Sequence, residues 1–229
     1  MPDTTLRVVT SNATHSLLGA LVEAYGRVQP HQPVELTADS ASLMLERIRN
    51  GECADLAVLN APDINALVQA GILDARTRRS FTRSRIGVAV RAGAPHPDIA
   101  SADAFRRTLL AARAIAHTVH GASGMYVPKL IERLGIADQV TTVTRPGGLI
   151  GKVVAAGEAE IAIQQISELL AVEGIEVVGP LPDELQMTFD SALAAFAGSP
   201  HAEAASSLVN FFLSPDVARL FESHGLQRL

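Results

Sequence analysis

Apolar residues in the first third of the chain change repeatedly between the spacing of a short strand and the spacing of a helix. A β-branched run at residues 6–10 is followed by apolar residues at helical spacing from 17 to 25. The strand-like runs 34–37 and 55–60 are each followed by a helical pattern in the same way. Strand followed by helix, three times in succession, is typical of a parallel sheet with crossover helices.

The middle of the chain repeats this alternation with apolar residues of its own. The strand-like runs there lie at 85–91, 114–118, 140–144 and 160–164. A last strand-like run at 192–196 precedes two helical segments, at 204–213 and 215–224. The middle segments and the outer segments are therefore each long enough to form an α/β core.

A chain that builds one α/β core, crosses to a second and returns to the first forms two lobes joined by two crossover segments. We predict a first lobe from residues 1–86 plus 190–229 and a second lobe from 87–189. We expect mainly parallel sheets flanked by helices, and a ligand cleft between the lobes.

Composition excludes several classes of function. The net charge is -5 and Lys and Arg form no run, so a nucleic-acid partner is not expected. No stretch approaches the roughly 20 apolar residues of a membrane span, so membrane insertion is not expected either. Cys53 is the single cysteine, which excludes an intramolecular disulfide and a cysteine-cluster zinc site. We expect this thiol to be buried as a small apolar group.

Four turns rich in glycine or small polar residues follow predicted strands and open predicted helices. In open α/β sheets, ligands bind at the carboxyl ends of strands, where helix N-termini offer free N–H groups and a positive dipole end. Such turns suit an oxyanion or a carboxylate, although each could be a plain helix cap worth about 1 kcal/mol. The turn residues are Ser11, Asn12, Thr14, Ser40, Ala41, Ser42, Gly121, Ala122, Ser123, Gly124, Gly147 and Gly148.

The order of these turns and of the strand-like segments 54–60 and 157–163 resembles the periplasmic molybdate-binding protein family, and the resemblance covers nearly the whole chain. It implies the type II periplasmic-binding-protein fold. It also implies an oxyanion held by backbone N–H groups and serine hydroxyls without charged side chains. The matching positions here are Ser11, Ser40 or Ser42, Ser123 and the Gly147–Gly148 turn.

This sequence departs from the family pattern after the strand-like run 160–164. A tyrosine of the family is replaced here by Gln164, Gln165 and Ser167. Amide and hydroxyl groups at this place suit an organic carboxylate as well as a metal oxyanion. The first hypothesis is therefore a binding protein that traps a small oxyanion or carboxylate, with an ABC permease as partner only if the protein is exported.

Proteins that resemble this family include an aconitate isomerase, so the second hypothesis is an enzyme that moves a double bond by proton transfer. Such a reaction needs a general base, a proton donor and a clamp for the carboxylates. His120 is the preferred base, with His15 and Glu168 as further candidates, and Arg145 is the preferred clamp. Each could instead have a structural role: His15 and Glu168 as solvated residues, His120 as a helix cap, and Arg145 as half of a surface ion pair.

No metal site and no cofactor is predicted, because the sequence has no phosphate loop, nucleophile elbow or metal-binding helix motif. A third hypothesis, an effector-sensing module, ranks last because the chain has no helix-turn-helix segment. The segment from Met1 to the first strand lacks a basic region, a long apolar region and a cleavage site. This predicts a cytoplasmic protein, or a periplasmic one if a leader has been removed.

Overall fold

The structure is a computed structural model that describes residues 5–229. Residues 1–4, on which part of the expectation about a leader depends, lie outside the described residues. The chain forms two compact units, one running up to Arg83 and resuming at Asp190–Leu229, the other comprising Ser84–Phe189. The first crossing thus falls three residues before the predicted boundary at 86/87.

The order of elements follows the alternation of strand and helix along the chain. The strands are β1 (Leu6–Ser11), β2 (Val34–Asp39), β3 (Leu56–Asn60), β4 (Arg79–Arg91), β5 (Ile115–Thr118), β6 (Thr142–Arg145), β7 (Ile161–Gln165), β8 (Ile175–Pro180), β9 (Thr188–Ala195) and β10 (Leu226–Arg228). The helices are α1 (Asn12–Val28), α2 (Ala41–Arg49), α3 (Ala61–Gln69), α4 (Ala102–Ala111), α5 (Ala122–Arg133), α6 (Gly151–Ala155), α7 (Ile166–Leu169), α8 (Ala202–Phe212) and α9 (Ala218–Ser223).

In the unit that contains both chain ends, β1 pairs in parallel with β2 on one side and with β3 on the other. β9 is antiparallel to β3. Leu6 and Val8 of β1 pack against Leu17 and Leu21 of α1, and all four side chains are almost fully buried. Because β1, β2 and β3 run in one direction, α1, α2 and α3 all begin at the same edge of this sheet.

In the Ser84–Phe189 unit, β5 pairs in parallel with β6 and with β7, and β4 is antiparallel to β7 and β8. Its core joins Phe105 of α4 and Val127 of α5 to the apolar faces of the strands. The carboxyl ends of β5, β6 and β7 lie at one edge, and α5 begins there. Each unit therefore has one sheet edge at which strands end and helices start.

Hydrogen bonds between β4 and β9 hold the ends of the first unit together where the chain leaves it. Thr82 and Ser191 share a hydroxyl hydrogen bond of 2.6 Å, and both side chains are buried. Next to them, Arg83 forms a bidentate ion pair with Asp190, with N–O distances of 2.7 and 2.8 Å. The crossing strands are thus fixed by side-chain contacts within the unit.

The predicted α/β class and the strand–helix alternation are confirmed. Two strands, β8 and β10, were not predicted, because β8 is only half-buried and β10 has three residues. The expectation for Cys53 is wrong: the thiol is exposed and donates to the carbonyl of Gly51 at 3.5 Å. Among residues 5–229, no helix is both long and apolar enough to span a membrane.

Candidate functional site

Three helix N-termini lie at the carboxyl edge of the parallel strands in the first unit. Ser11 is the N-cap of α1, Ser40 of α2 and Asn60 of α3. The first turn of a helix has backbone N–H groups without partners in the helix, so this edge can donate hydrogen bonds to an anion. Sequence reasoning assigned the first two turns to a ligand site and took Asn60 only as a helix cap, although it also follows a strand and opens a helix.

The residues of the α1 turn have two different roles: some hold the backbone of the turn in place, and others have polar groups without a partner. Thr14 is buried, and its hydroxyl lies 2.7 Å from that of Thr10, so it holds the backbone in place. The hydroxyl of Ser11 makes no capping hydrogen bond, although the residue is only 3% exposed. Asn12 is half-buried and His15 is exposed one turn into the helix. Ser11 is thus the hydroxyl best placed to accept a new partner here.

The α2 turn is more fully occupied by its own contacts. The hydroxyl of Ser40 accepts from Leu43 N at 3.4 Å, and its N–H donates to Asp39 at 2.7 Å. Arg47 contacts the same Asp39 carboxylate at 3.4 Å and partly balances its charge. Ala41 is half-buried and Ser42 is exposed. Of the two serines that match the family pattern, Ser42 is therefore the one with a free hydroxyl.

The α5 turn in the Ser84–Phe189 unit is shaped by two glycines with different roles. Gly121 has φ +95°, a backbone conformation that favours glycine. Gly124 lies against the end of β5, where an added Cβ would be 2.6 Å from both the carbonyl and the hydroxyl oxygen of Thr118. Between them, Ala122 is half-buried and Ser123 is buried, and its hydroxyl has no partner among the described residues. The turn brings the first N–H groups of α5 close to the strand.

The remaining candidate residues before β7 differ in whether their side chains already have a partner within the chain. His120 is exposed, and its backbone N–H donates to the carbonyl of Pro146 at 3.0 Å. Arg145 is paired with Glu158 at 2.6 Å, so its guanidinium already has an anionic partner. The Gly147–Gly148 turn follows, with Gly148 at φ +84°. His120 thus has a free ring, whereas Arg145 forms the surface ion pair that was the alternative to a clamp.

Each of the two glutamines at the end of β7 both accepts and donates a hydrogen bond through its side-chain amide. Gln164 accepts from Ile150 N at 2.9 Å and donates to the carbonyl of Gly148 at 2.8 Å. It therefore holds the Gly148 turn rather than presenting free groups. Gln165 accepts from the hydroxyl of Ser84 at 2.5 Å and donates to Glu168 at 3.3 Å. Ser84 is a buried site residue that sequence reasoning missed, and no motif points to it.

Glu168 has a buried carboxyl group at this edge. The alternative given above, a solvated side chain, therefore does not apply. The residue is 7% exposed. Burial raises the pKa of Glu168 from 4.5 to about 8, and the hydrogen bond from Gln165 acts in the opposite direction. The group therefore holds a proton at neutral pH and can donate it.

The neighbour of Glu168 offers a second group. The hydroxyl of Ser167 is buried and has no hydrogen-bond partner among the described residues. A buried hydroxyl without a partner costs free energy unless a ligand or water satisfies it. Glu168, Gln165, Ser84 and Ser167 thus form one buried polar group at the end of β7. We call it the β7 cluster.

Within residues 5–229, no group of three or more His, Cys, Asp or Glu side chains is arranged to hold a metal ion. The hydrogen-bond donors that the candidate turns offer are hydroxyls and backbone N–H groups. The only acid among the candidate residues is Glu168, which is neutral near pH 7. Carboxylates outside the candidate set do lie at two of these turns: Asp39 accepts from Ser40 N at the α2 turn, and Asp63 is in the first turn of α3.

Comparison with known proteins gives consistent results over the whole chain. Residues 6–227 match the family described as bacterial extracellular solute-binding protein. An aconitate isomerase from Pseudomonas sp is 34% identical over 235 residues, which cover 99% of this chain and 88% of that protein. The resemblance expected from the turn motifs is thus confirmed.

Solved structures show the same fold at low sequence identity. The periplasmic molybdate-binding protein of Azotobacter vinelandii superposes with a TM-score of 0.79 at 15% identity, covering 96% of this chain and 98% of that one. The sulfate-binding protein SubI of Mycobacterium tuberculosis gives 0.77 at 20% identity, covering 99% and 87%. These similarities support the type II periplasmic-binding-protein fold.

Proposed function

Because this chain belongs to the bacterial extracellular solute-binding protein family, we propose that it binds a small di- or tricarboxylate and moves a proton on it, in the manner of an aconitate isomerase. The observation that carries the proposal is the buried carboxyl group of Glu168, which accepts from Gln165 and lies next along the chain to the unpartnered hydroxyl of Ser167.

The turn groups supply the binding part of the proposal. Free N–H groups at the starts of α1 and α5 and the hydroxyls of Ser11 and Ser123 are donors for carboxylate oxygens. Donors of this kind suit a carboxylate substrate, because each turn offers backbone N–H and hydroxyl groups to the oxygens of one carboxylate. Arg145 contributes less than expected, since Glu158 already neutralises it.

The proposed reaction is a proton transfer across three carbons of the substrate. A base removes a proton from the methylene carbon beside a carboxylate, the electron pairs shift over three carbons, and an acid returns a proton to the far carbon. The composition of the substrate is unchanged and no oxidant is needed. Glu168 supplies the returned proton, and the exposed ring of His120 is our candidate for the base.

The similarity to the aconitate isomerase supports this reading, because 34% identity extends over 99% of this chain. The molybdate- and sulfate-binding structures support the coarser part, a site for a small anion. The test is conversion of trans-aconitate to its cis isomer, followed by proton NMR with purified protein. We expect conversion by the wild-type protein. Its absence at high protein concentration would overturn the enzymatic proposal.

A second candidate function, binding without turnover, is favoured by the neutral donors of the turns and by the family itself. Calorimetric titration with trans-aconitate, citrate, sulfate and molybdate separates the two. Tight binding of one anion with no conversion of any carboxylate supports the binding function. No binding of any of them would contradict both functions.

Location and partner differ between the two functions. The family and its structural neighbours are described as extracellular or periplasmic solute-binding proteins. A transport role requires export and a membrane permease, whereas turnover of an organic acid requires neither. Fractionation of cells that express the native gene distinguishes these cases by the compartment in which the protein is found.

A further inference from the structure

A pocket lies wholly within the Ser84–Phe189 unit, away from the β7 cluster. Its volume is about 600 Å³, and its walls come from the end of β4, residues 94–98, the end of α4 and residues 157–161. It includes Ile161, the first residue of β7, whereas the cluster begins at Gln165, the last residue of that strand. Four residues of a strand separate the two places by roughly 13 Å.

The walls of this pocket are mostly apolar. Val90, Pro95, Pro97, Ala111 and Ile161 line it. Small-molecule sites have volumes of about 300–1,000 Å³ and apolar walls with a few polar groups that fix orientation. The pocket therefore has the size and the wall chemistry of a site for a small molecule with an apolar body.

The charged residues around the pocket are not equally available. Arg113 is occupied: its backbone N–H donates to Glu160 at 2.7 Å, and its guanidinium donates to the carbonyl of Gly157 at 3.0 Å and lies 3.6 Å from Glu160. Glu160 is therefore neutralised by the same residue. Asp98 accepts from Ala100 N at 3.0 Å, ahead of α4. These groups hold the loops of the pocket.

Arg91 is different from these residues. It is exposed, and its side chain forms no hydrogen bond or ion pair with any of residues 5–229. Its Nη1 atom lies over Gly157, 3.7 Å from the place where a Cβ would be. The guanidinium thus sits against a pocket wall that lacks a side chain. An unpaired guanidinium beside apolar walls matches a carboxylate at one end of an apolar molecule.

We propose that this pocket binds a small amphipathic carboxylate, with Arg91 holding the anionic group and the wall residues covering the apolar body. This proposal does not depend on the function of the β7 cluster. It concerns a different place in the unit and a different ligand class, since the apolar walls would leave the additional carboxylates of a tricarboxylate without partners.

Calorimetric titration of the whole chain with octanoate, octanamide and octylamine tests the proposal. We expect octanoate to bind about tenfold more tightly than octanamide, and octylamine to bind most weakly, because only the carboxylate pairs with Arg91. Equal affinity for the three probes, tightest binding of octylamine, or no binding of octanoate at millimolar concentration would overturn it.

Two variants locate the binding. Arg91→Gln should reduce octanoate affinity about tenfold, to that of octanamide. Arg107→Gln is the matched control, because Arg107 is an exposed arginine on α4 that does not line the pocket. It should bind octanoate like the wild type. Thermal melting checks that both variants are folded. Unchanged affinity in folded Arg91→Gln would show that octanoate binds elsewhere and would overturn the proposal.

Discussion

Gln165 donates its side-chain N–H to Oε2 of Glu168 at 3.3 Å, and this contact opposes the effect of burial on the acid. Burial favours the neutral form of Glu168, whereas the hydrogen bond favours the charged form. The result is a carboxyl group whose pKa of about 8 is close to neutral pH. A group with such a pKa can both give and recover a proton under ordinary conditions.

Replacing Gln165 should change the pKa of Glu168. In Gln165→Leu the donor is lost, so we expect the pKa of Glu168 to rise further above 8. Carbon-13 NMR of labelled glutamate carboxyl groups over a pH series measures the shift. Glu168→Gln is the assignment control, because the titrating signal must be absent from it. A pKa that falls or stays constant in Gln165→Leu would contradict the role given to this hydrogen bond.

The raised pKa also makes stability depend on pH. Below pH 4.5 Glu168 is protonated in both the folded and the unfolded chain, so it adds no penalty. Between pH 4.5 and about 8 the unfolded chain releases the proton while the folded chain keeps it, so stability falls as pH rises. The full effect is on the order of 5 kcal/mol.

Urea unfolding of the wild type and of Glu168→Gln measures this effect. The variant cannot ionise, so its free energy of unfolding should exceed that of the wild type by an amount that increases from about pH 5 to about pH 8. Glu173→Gln, an exposed glutamate after α7, should follow the wild type throughout. If the difference between Glu168→Gln and wild type is constant with pH, Glu168 is not the titrating group.

The other unit contains a buried acid with a structural role. Asp55 is 5% exposed and accepts from the backbone N–H of Arg7 at 2.8 Å, from Ser199 at 2.6 Å and from His201 at 3.1 Å. Asp55→Ala should reduce the free energy of unfolding by about 3 kcal/mol, because it leaves these donors unpaired. Chemical denaturation measures the loss. The exposed Asp216→Ala should change stability by less than about 0.5 kcal/mol.

Replacing a glycine by alanine should change stability in opposite directions at Gly124 of the α5 turn and at Gly26 of α1. Gly124→Ala should destabilise by about 1–3 kcal/mol, because the new methyl group meets Thr118 at 2.6 Å. Gly26→Ala in α1 has open space around it and should stabilise by about 0.5–1 kcal/mol. Thermal or urea unfolding compares them. Equal effects of the two changes would mean that the close approach of α5 to β5 is not needed.

The parts of the fold that could be predicted are those in which apolar residues recur at the spacing of a strand or a helix. β1 and β3 are apolar runs that are buried along most of their length, and α1 has a clear helical stripe. The first residues of β4 were not predicted, since Phe81 is the only apolar residue between Arg79 and Arg83. It is nevertheless fully buried, because its ring packs against Phe212 of α8 and Phe221 of α9.

The site was predicted in outline, because strand ends and helix starts are visible in the chain order. The sequence did not show which of the polar site groups lack a hydrogen-bond partner within the chain. Gln164 looked like a ligand group, but its amide bonds the Gly148 turn, and Arg145 is neutralised by Glu158. The burial of Glu168 and its link to Ser84 depend on strands that are distant along the chain. No local pattern encodes such contacts.

Solvent deuterium incorporation tests the central claim most directly. Wild-type protein and Glu173→Gln, incubated with trans-aconitate in deuterated water, should place deuterium on the carbon that receives the proton. Glu168→Gln should do so at least about 100-fold more slowly while calorimetry shows that it still binds the substrate. Incorporation by Glu168→Gln at the wild-type rate would contradict the assignment of Glu168 as the proton donor.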